Sequence, residues 1–353
     1  MEFQEKLLWY KKKIDTHLKE FLKREKQKAP NSYSKKIYEF ILDYVLRGGK
    51  RIRPILFIEG YRACDGKDID EIIKASLAVE LLEGYLLIHD DIIDRDEVRR
   101  GGPSFHELTK TWYKEEFGDK DSYHFGVAFA ILAGDMLGSL AIKPLLDASF
   151  DNRVKLKAIE ELIQAEKRCF YGELYDVILE KKDTVTEEDL FNMIDLKTAS
   201  YTTEAPLVMG AILGDGTDEQ IDPLRKYGKL IGEAFQLVDD ILGTFGNAVE
   251  TGKPIDSDIK EGKRTLLVIH ALKKANEKER KFLQECLGNM SLKADHLERI
   301  REIMVKTGAV DYSREVASSL VTKAKRVLQD ADLEPDSKKF LSDMADFILE
   351  RSM

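Results

Sequence analysis

The sequence predicts one large all-α domain. Three observations point there. Only 8 of 353 residues are proline, so obligatory helix breaks are few. Apolar residues recur at helical spacing over long stretches, with few Val/Ile/Thr alternations. Hydrophobic residues make up 43% and charged residues 34% of the chain, a balance that suits a globular protein with a sizeable core. No repeat, low-complexity tract or linker divides it, so residues 1–353 read as a single domain.

Residues 1–28 read as a charged amphipathic helix with Leu7, Leu8, Ile14, Leu18, Phe21 and Leu22 on its apolar side. Its lysine runs read as a solvated face. Ala29-Pro30-Asn31-Ser32 breaks it, and a second helix runs from Ser34 to Leu46, ending at Gly48-Gly49. Residues 54–63 and 68–94 read as two apolar helices joined at Cys64–Lys67, with Asp68 as N-cap of the second. That second helix is apolar on most sides, so it belongs at the centre of a bundle. Arg99–Ser104 is a loop. Helical patterns follow over 124–147, 153–181, 186–213 and 219–245. Thr251–Lys263 reads as a polar loop, and helices resume from Thr265 with breaks near Gly288, Gly308 and Pro335.

The net charge of −9 argues against general nucleic-acid binding, which needs a basic face. It leaves room for an anionic small molecule held by a local basic cluster. Cys64, Cys169 and Cys286 form no CxxC pair and no disulfide framework, so a reducing compartment, the cytoplasm, is expected. The charged N-terminus lacks a signal-peptide stretch, and no apolar run reaches about 18 residues, so no membrane span is expected.

Two aspartate clusters stand out. In His89-Asp90-Asp91-Ile92-Ile93-Asp94, Asp90 and Asp94 are one helical turn apart and share a face. Asp239-Asp240 lies in a second apolar helix. Carboxylates among Leu, Ile and Val are costly unless a cation joins them, and oxygen-only ligands suit Mg²⁺ bridging to phosphate. Either pair alone could equally cap a helix or bind an arginine. The basic motif Gly48-Gly49-Lys50-Arg51-Ile52-Arg53-Pro54, with Arg99 and Arg100, suits diphosphate. Lys197-Thr198, Lys253 and Lys263-Arg264 supply further cations.

In this order, GGKRIRP, LLIHDDIID with RRGGPSFH, FQLVDDIL and TGKP…EGKRTLL resemble the trans-isoprenyl diphosphate synthases, the polyprenyl synthetases. The resemblance covers about residues 35–275. It implies a bundle of long antiparallel helices around a deep central cavity, working as a homodimer. It implies Mg²⁺-dependent, head-to-tail condensation of isopentenyl diphosphate with an allylic diphosphate (dimethylallyl, geranyl or farnesyl), using two or three ions. By resemblance, Asp90, Asp91, Asp94, Asp239 and Asp240 bind metal. Lys50, Arg53 and Arg100 grip isopentenyl diphosphate, with Glu83 at a position more often His or Gln. Arg99, Lys197, Thr198, Gln236 and Lys253 surround the allylic diphosphate. Gly243 replaces a third aspartate of the second motif, so one ligand is missing. Chain length is set just ahead of the first motif, where Tyr85, with Leu86 beside it, is expected to floor the cavity. An aromatic there without an insertion resembles archaeal short-chain synthases, giving geranylgeranyl or, alternatively, farnesyl diphosphate. A class I terpene cyclase shares the metal chemistry but needs no GGKRIRP motif. A non-catalytic synthase subunit would tend to lose the aspartates kept here.

Overall fold

The computed structural model describes residues 2–246 and 257–350. The chain runs through α1 (Phe3–Gln27), α2 (Ser32–Leu46), α3 (Ile52–Ala63), α4 (Ile69–Ala75) and α5 (Leu77–Ile93). A two-residue antiparallel pair, β1 (Val98–Arg99) and β2 (Gly102–Pro103), follows. Then come α6 (Phe105–Phe117), α7 (Ser122–Ala141), α8 (Lys143–Asp147), α9 (Asn152–Lys181) and α10 (Glu187–Ile194). A π-helical segment, Asp195–Glu204, leads into α11 (Ala205–Leu213) and α12 (Asp218–Phe245). The chain ends with α13 (Ser257–Glu261), α14 (Leu266–Lys274), α15 (Glu277–Cys286), α16 (Ala294–Lys306), α17 (Ala309–Asp330) and α18 (Pro335–Glu350). The all-α expectation holds.

Helix starts follow local chemistry. Asn31 caps α2 by accepting from the Ser34 N–H at 2.8 Å, and Asp68 caps α4 by accepting from Glu71 at 3.0 Å. Thr186 and Asp189 form a reciprocal box at α10. α5 is central as expected: every residue from Leu77 to Leu86 is buried. Gly60 and Gly210 let α3 and α11 cross closely. A Cβ on Gly210 would sit 1.9 Å from the Phe57 carbonyl, and one on Gly60 would sit 2.1 Å from the Leu207 carbonyl.

Several boundaries differ from the sequence reading. Residues 68–94 are two helices, because Ser76 flattens to ψ −14° and turns its hydroxyl back onto the Ile73 carbonyl. Residues 124–147 divide after Ala141, with Pro144 at the start of α8. α6 was not expected: its amphipathic run follows the GGPS turn directly. α13 falls inside the expected polar loop. One membrane-length stretch exists after all, Ser122–Asp147, by length and composition. Asp135 interrupts it, which is why it does not read as an apolar run.

α7 and α9 leave apolar side chains outside. Leu132 is 62% and Leu174 62% exposed, with Ile131, Leu156, Ile163, Tyr171 and Ile178 also exposed.

Candidate active site

α5, α9, the π segment and α12 enclose a cavity of about 700 Å³. Its acidic end is built on two helices. Asp90 and Asp94 lie one turn apart on α5, and α9 brings Glu173 and Asp176 opposite them. Asp90, Asp94 and Glu173 each offer a carboxylate oxygen, all within 4.8 Å of one another. Two lysines hold this cluster. Lys197 lies 2.8 Å from Glu173, 2.8 Å from Asp176 and 3.5 Å from Asp90. Lys263 lies 2.9 Å from Asp94, 3.0 Å from Asp176 and 2.9 Å from Glu180. Burial, with the neighbouring Asp90 charge, pushes Asp94 up to about 6 and Glu173 up to about 7. Burial opposes the Lys197 charge, but Asp176, Asp90 and Glu173 outweigh it and hold its pKa well above the ordinary range.

Asp91 departs from its expected metal role. A rotation of about 100° per residue turns it away from Asp90. It is fully buried, accepting from the Tyr44 hydroxyl at 2.7 Å and from Arg99 Nε at 2.5 Å. Arg99 also reaches Asp90 and Asp96, each at 3.0 Å. Asp91 therefore positions Arg99 at the cavity edge.

The basic end lies across the cavity. Gly48 and Gly49, at φ 61° and 85°, swing the loop so that Lys50 and Arg53 line the cavity. The Lys50 ammonium stands 5.0 Å from the Phe347 ring. Arg51, the middle cation of the motif, faces inward instead, bound to Glu80, Asp15 and the Val45 carbonyl. Glu83 resolves its own apparent conflict with an anionic ligand. It lies 2.9 Å from Arg53 and 2.7 Å from Arg100. Burial raises its pKa, but Arg53 and Arg100 outweigh burial and hold it below the ordinary range. It is thus charged, and it braces both guanidiniums.

On α12, Asp239 and Asp240 line the cavity. Thr198 donates to Gln236 at 2.7 Å, and Gln236 donates to Asp240 at 2.7 Å, so these expected residues form one relay. Burial, then the Asp258 charge, drives Asp240 well above the carboxylate range. Asp258 also accounts for Gly243. A Cβ there would sit 3.1 Å from Asp258 Oδ2, so glycine leaves the space that this carboxylate enters. Lys253 lies outside the described residues.

The walls between the two ends are apolar: Leu86, Leu87, Phe170, Met193, Phe235 and Leu242. Tyr85 is not among the lining residues. Its ring stands behind Phe170, centroids 6.1 Å apart, and beside His89 at 4.8 Å. Leu86 does face the cavity. A residue five before Asp90 lies about 140° round the helix from it, so its side chain backs the wall.

Residues 35–304 match the family model for polyprenyl synthetase. The chain belongs to the polyprenyl synthetase family. This polyprenyl synthetase is 34% identical over 339 residues to a short chain isoprenyl diphosphate synthase of Methanocaldococcus jannaschii, covering 96% of this chain and 94% of that protein. It is 34% identical over 315 residues to a geranylfarnesyl diphosphate synthase of Aeropyrum pernix, covering 88% and 92%. Its fold is similar to geranylgeranyl pyrophosphate synthase from Corynebacterium glutamicum, solved with isoprenyl diphosphate and magnesium. That match has TM-score 0.92 and 30% identity, covering 97% of this chain and 98% of that one. The polyprenyl synthetase described here is a prenyltransferase that acts on isoprenoid diphosphates.

The donor set fits a divalent cation. Glu173 Oε1 is buried without a hydrogen-bond partner beside Asp90 and Asp94, and such an oxygen calls for a cation. Glu173, Asp176, Lys263, Tyr201 and Asp258 belong to this polyprenyl synthetase's cavity and were not singled out as aspartate-motif partners in the sequence. Glu173 and Asp176 sit in a charged helix where they look like surface residues; only their spacing of three was a signal.

Proposed function

We propose that this protein condenses isopentenyl diphosphate with allylic diphosphates, with geranylgeranyl diphosphate as main product. One observation carries the reading: an acidic nest (Asp90, Asp94, Glu173) and a basic patch (Lys50, Arg53, Arg100) face one apolar cavity. The nest takes the allylic diphosphate through metal, and the patch takes isopentenyl diphosphate directly.

Asp90, Asp94 and Glu173 would hold one group of Mg²⁺ ions, with Asp239, Asp240 and Asp258 near the other. Bound Mg²⁺ supplies charge stabilisation for the leaving diphosphate. Lys197 and Arg99 add fixed positive charge at the same end. The allylic C–O bond breaks, and the chain's apolar walls keep water from the carbocation. Arg53 and Arg100, braced by Glu83, hold isopentenyl diphosphate so that its double bond attacks the allylic C1. A C–C bond forms, and a proton leaves to the departing diphosphate. No side-chain nucleophile is required.

The exposed apolar faces of α7 and α9 support a homodimer closed through those helices. Three buried, free cysteines fit a reducing, cytoplasmic setting.

The test is an incubation of purified protein with Mg²⁺, isopentenyl diphosphate and each allylic primer, followed by chain-length analysis. Elongation ending at the geranylgeranyl product is expected. No elongation with any primer overturns the reading, and a cyclic hydrocarbon from the primer alone would favour a cyclase.

A further inference from the structure

The π segment Asp195–Glu204 brings Lys197, Thr198 and Tyr201 to the cavity. Its bonds run five residues back: the Ala205 N–H that closes it donates to the Ser200 carbonyl. Such winding is rare and ordinarily lasts a single turn. Residues 195–204 contain no glycine or proline that would break an α-helix. What keeps the wider register must therefore come from outside the segment.

The flanking helices admit it closely. A Cβ on Gly172 of α9 would lie 2.2 Å from the Lys197 nitrogen, and one on Gly228 of α12 would lie 2.6 Å from the Glu204 Cα. The Thr203 hydroxyl donates to the Gly228 carbonyl at 2.6 Å. These contacts seat the segment. Its winding is recorded at its two ends.

Asp195 and Glu204 are the first and last residues of the segment, and both accept from one guanidinium. Arg168 Nη1 donates to Glu204 Oε1 at 2.9 Å, and Nη2 donates to Asp195 Oδ1 at 3.2 Å. On an α-helix, nine steps of about 100° would set these two residues about 180° apart, on opposite faces. One side chain could not take both. Five-residue bonds put more residues in each turn, so nine steps come to about two whole turns and both carboxylates return to one side. The Arg168 bridge thus fits the π register and not the α register. From α12, Arg225 holds Glu204 at 2.9 Å and Lys229 holds Asp195 at 3.1 Å. Each of those cations takes one end. Among the described residues, Arg168 alone spans both. Relaxation to α winding would rotate Lys197 against the anchored end, away from Glu173 and Asp176, which it now meets at 2.8 Å each.

We propose that Arg168 is a positioning residue: by holding Asp195 and Glu204 together, it keeps the segment in its π register and Lys197 aimed at the acidic nest. Arg168 does not line the cavity. It acts through Lys197, on the leaving diphosphate's end of the reaction. The proposal rests on the prenyl-elongation reading above.

The experiment compares wild type, Arg168→Ala, Asp195→Asn, Lys197→Ala and the Arg168→Ala/Lys197→Ala double variant. Elongation kcat and hydrogen exchange of the peptides covering 195–204 are measured for each. Arg168→Ala is expected to lower kcat by roughly tenfold, the cost of a displaced charged group, and Asp195→Asn to lower it in the same direction. Exchange should quicken in 195–204 and hold elsewhere in both. With Lys197 already removed, deleting Arg168 should change kcat by less than about twofold, because its effect passes through that ammonium. A purely structural role would instead multiply the two losses, and that outcome overturns the proposal. Wild-type kcat in Arg168→Ala overturns it, as does exchange that quickens over the whole chain. Should Arg168→Ala fail to fold, Asp195→Asn, which keeps the shape, decides by the same measurements: wild-type kcat and exchange there overturn the proposal. If wild type does not elongate at all, the failure belongs to the functional reading.

Discussion

Lys263 reaches Asp94 across 2.9 Å, joining residues 169 positions apart in the chain. The contact ties the segment after the second aspartate motif to the end of the first. Asp176 accepts from the same ammonium at 3.0 Å. α5 and α9 are therefore bridged by protein charge as well as by any cation they share. Lys263→Ala strips Asp94 of its direct cation and leaves Asp176 to Lys197 alone. Elongation is expected to fall by about 100-fold, with a raised Mg²⁺ requirement, read from initial rates across a magnesium titration. Wild-type rates at low Mg²⁺ would remove this role.

Asp90→Ala should abolish turnover, a loss of at least about 100-fold. Glu173→Gln is the subtler change. It keeps the shape but removes the charge from an unpartnered buried oxygen, so half-saturation by Mg²⁺ should move upward while kcat at saturating Mg²⁺ changes less. Magnesium-dependent kinetics separate the two outcomes.

Asp94 and Glu173, raised to about 6 and about 7, give the metal-free protein a pH signature. The folded state holds protons there that the unfolded chain, with ordinary carboxyls, has released. The sign follows from linkage: this contribution makes the metal-free fold less stable as pH rises from about 4 to about 7. Mg²⁺ binding needs both groups ionised. The rise in Tm that Mg²⁺ produces should therefore be larger at about pH 8 than at about pH 6. Equal shifts at both values in a thermal melt would count against these carboxylates as ligands.

Glu83→Ala strips the brace between Arg53 and Arg100. The KM for isopentenyl diphosphate is expected to rise by roughly tenfold, while the KM for the allylic substrate holds. Because the pair is buried, stability should drop by about 3 kcal/mol, visible in a denaturant melt.

Gly210→Ala should be severe at a distance from the chemistry. The added methyl meets the Phe57 carbonyl carbon and oxygen at under 3 Å, forcing α3 and α11 apart. A loss of about 3 kcal/mol is expected from overpacking, with residual activity at low temperature.

The aspartate motifs and the glycine-arginine loop were legible in the sequence because both put charge where periodicity demands apolar residues. Their directions were less so. Asp91 and Arg51 sit inside motifs yet turn toward the interior, since adjacent residues on a helix or loop face different ways. Glu173 and Asp176 were hidden in a charged helix, where only the partner surface decides which charges are buried. Tyr85 was placed at the right depth but on the wrong side of the wall, because depth follows from rise and facing follows from rotation. Asp258, on the following helix α13, stands beside Gly243, a neighbour that motif spacing alone does not reveal. The π segment that carries Lys197 leaves no mark in the amino-acid pattern.

Asp135 stands near the middle of the Ser122–Asp147 stretch, 59% exposed on its side chain and 3.6 Å from His89. Its neighbours would let this segment pass for a bilayer helix during synthesis. A single aspartate at such a depth adds about 3 kcal/mol to the cost of insertion. One carboxylate thus raises the cost of burying this stretch in a bilayer, while α7 keeps Ile131 and Leu132 on its outer face.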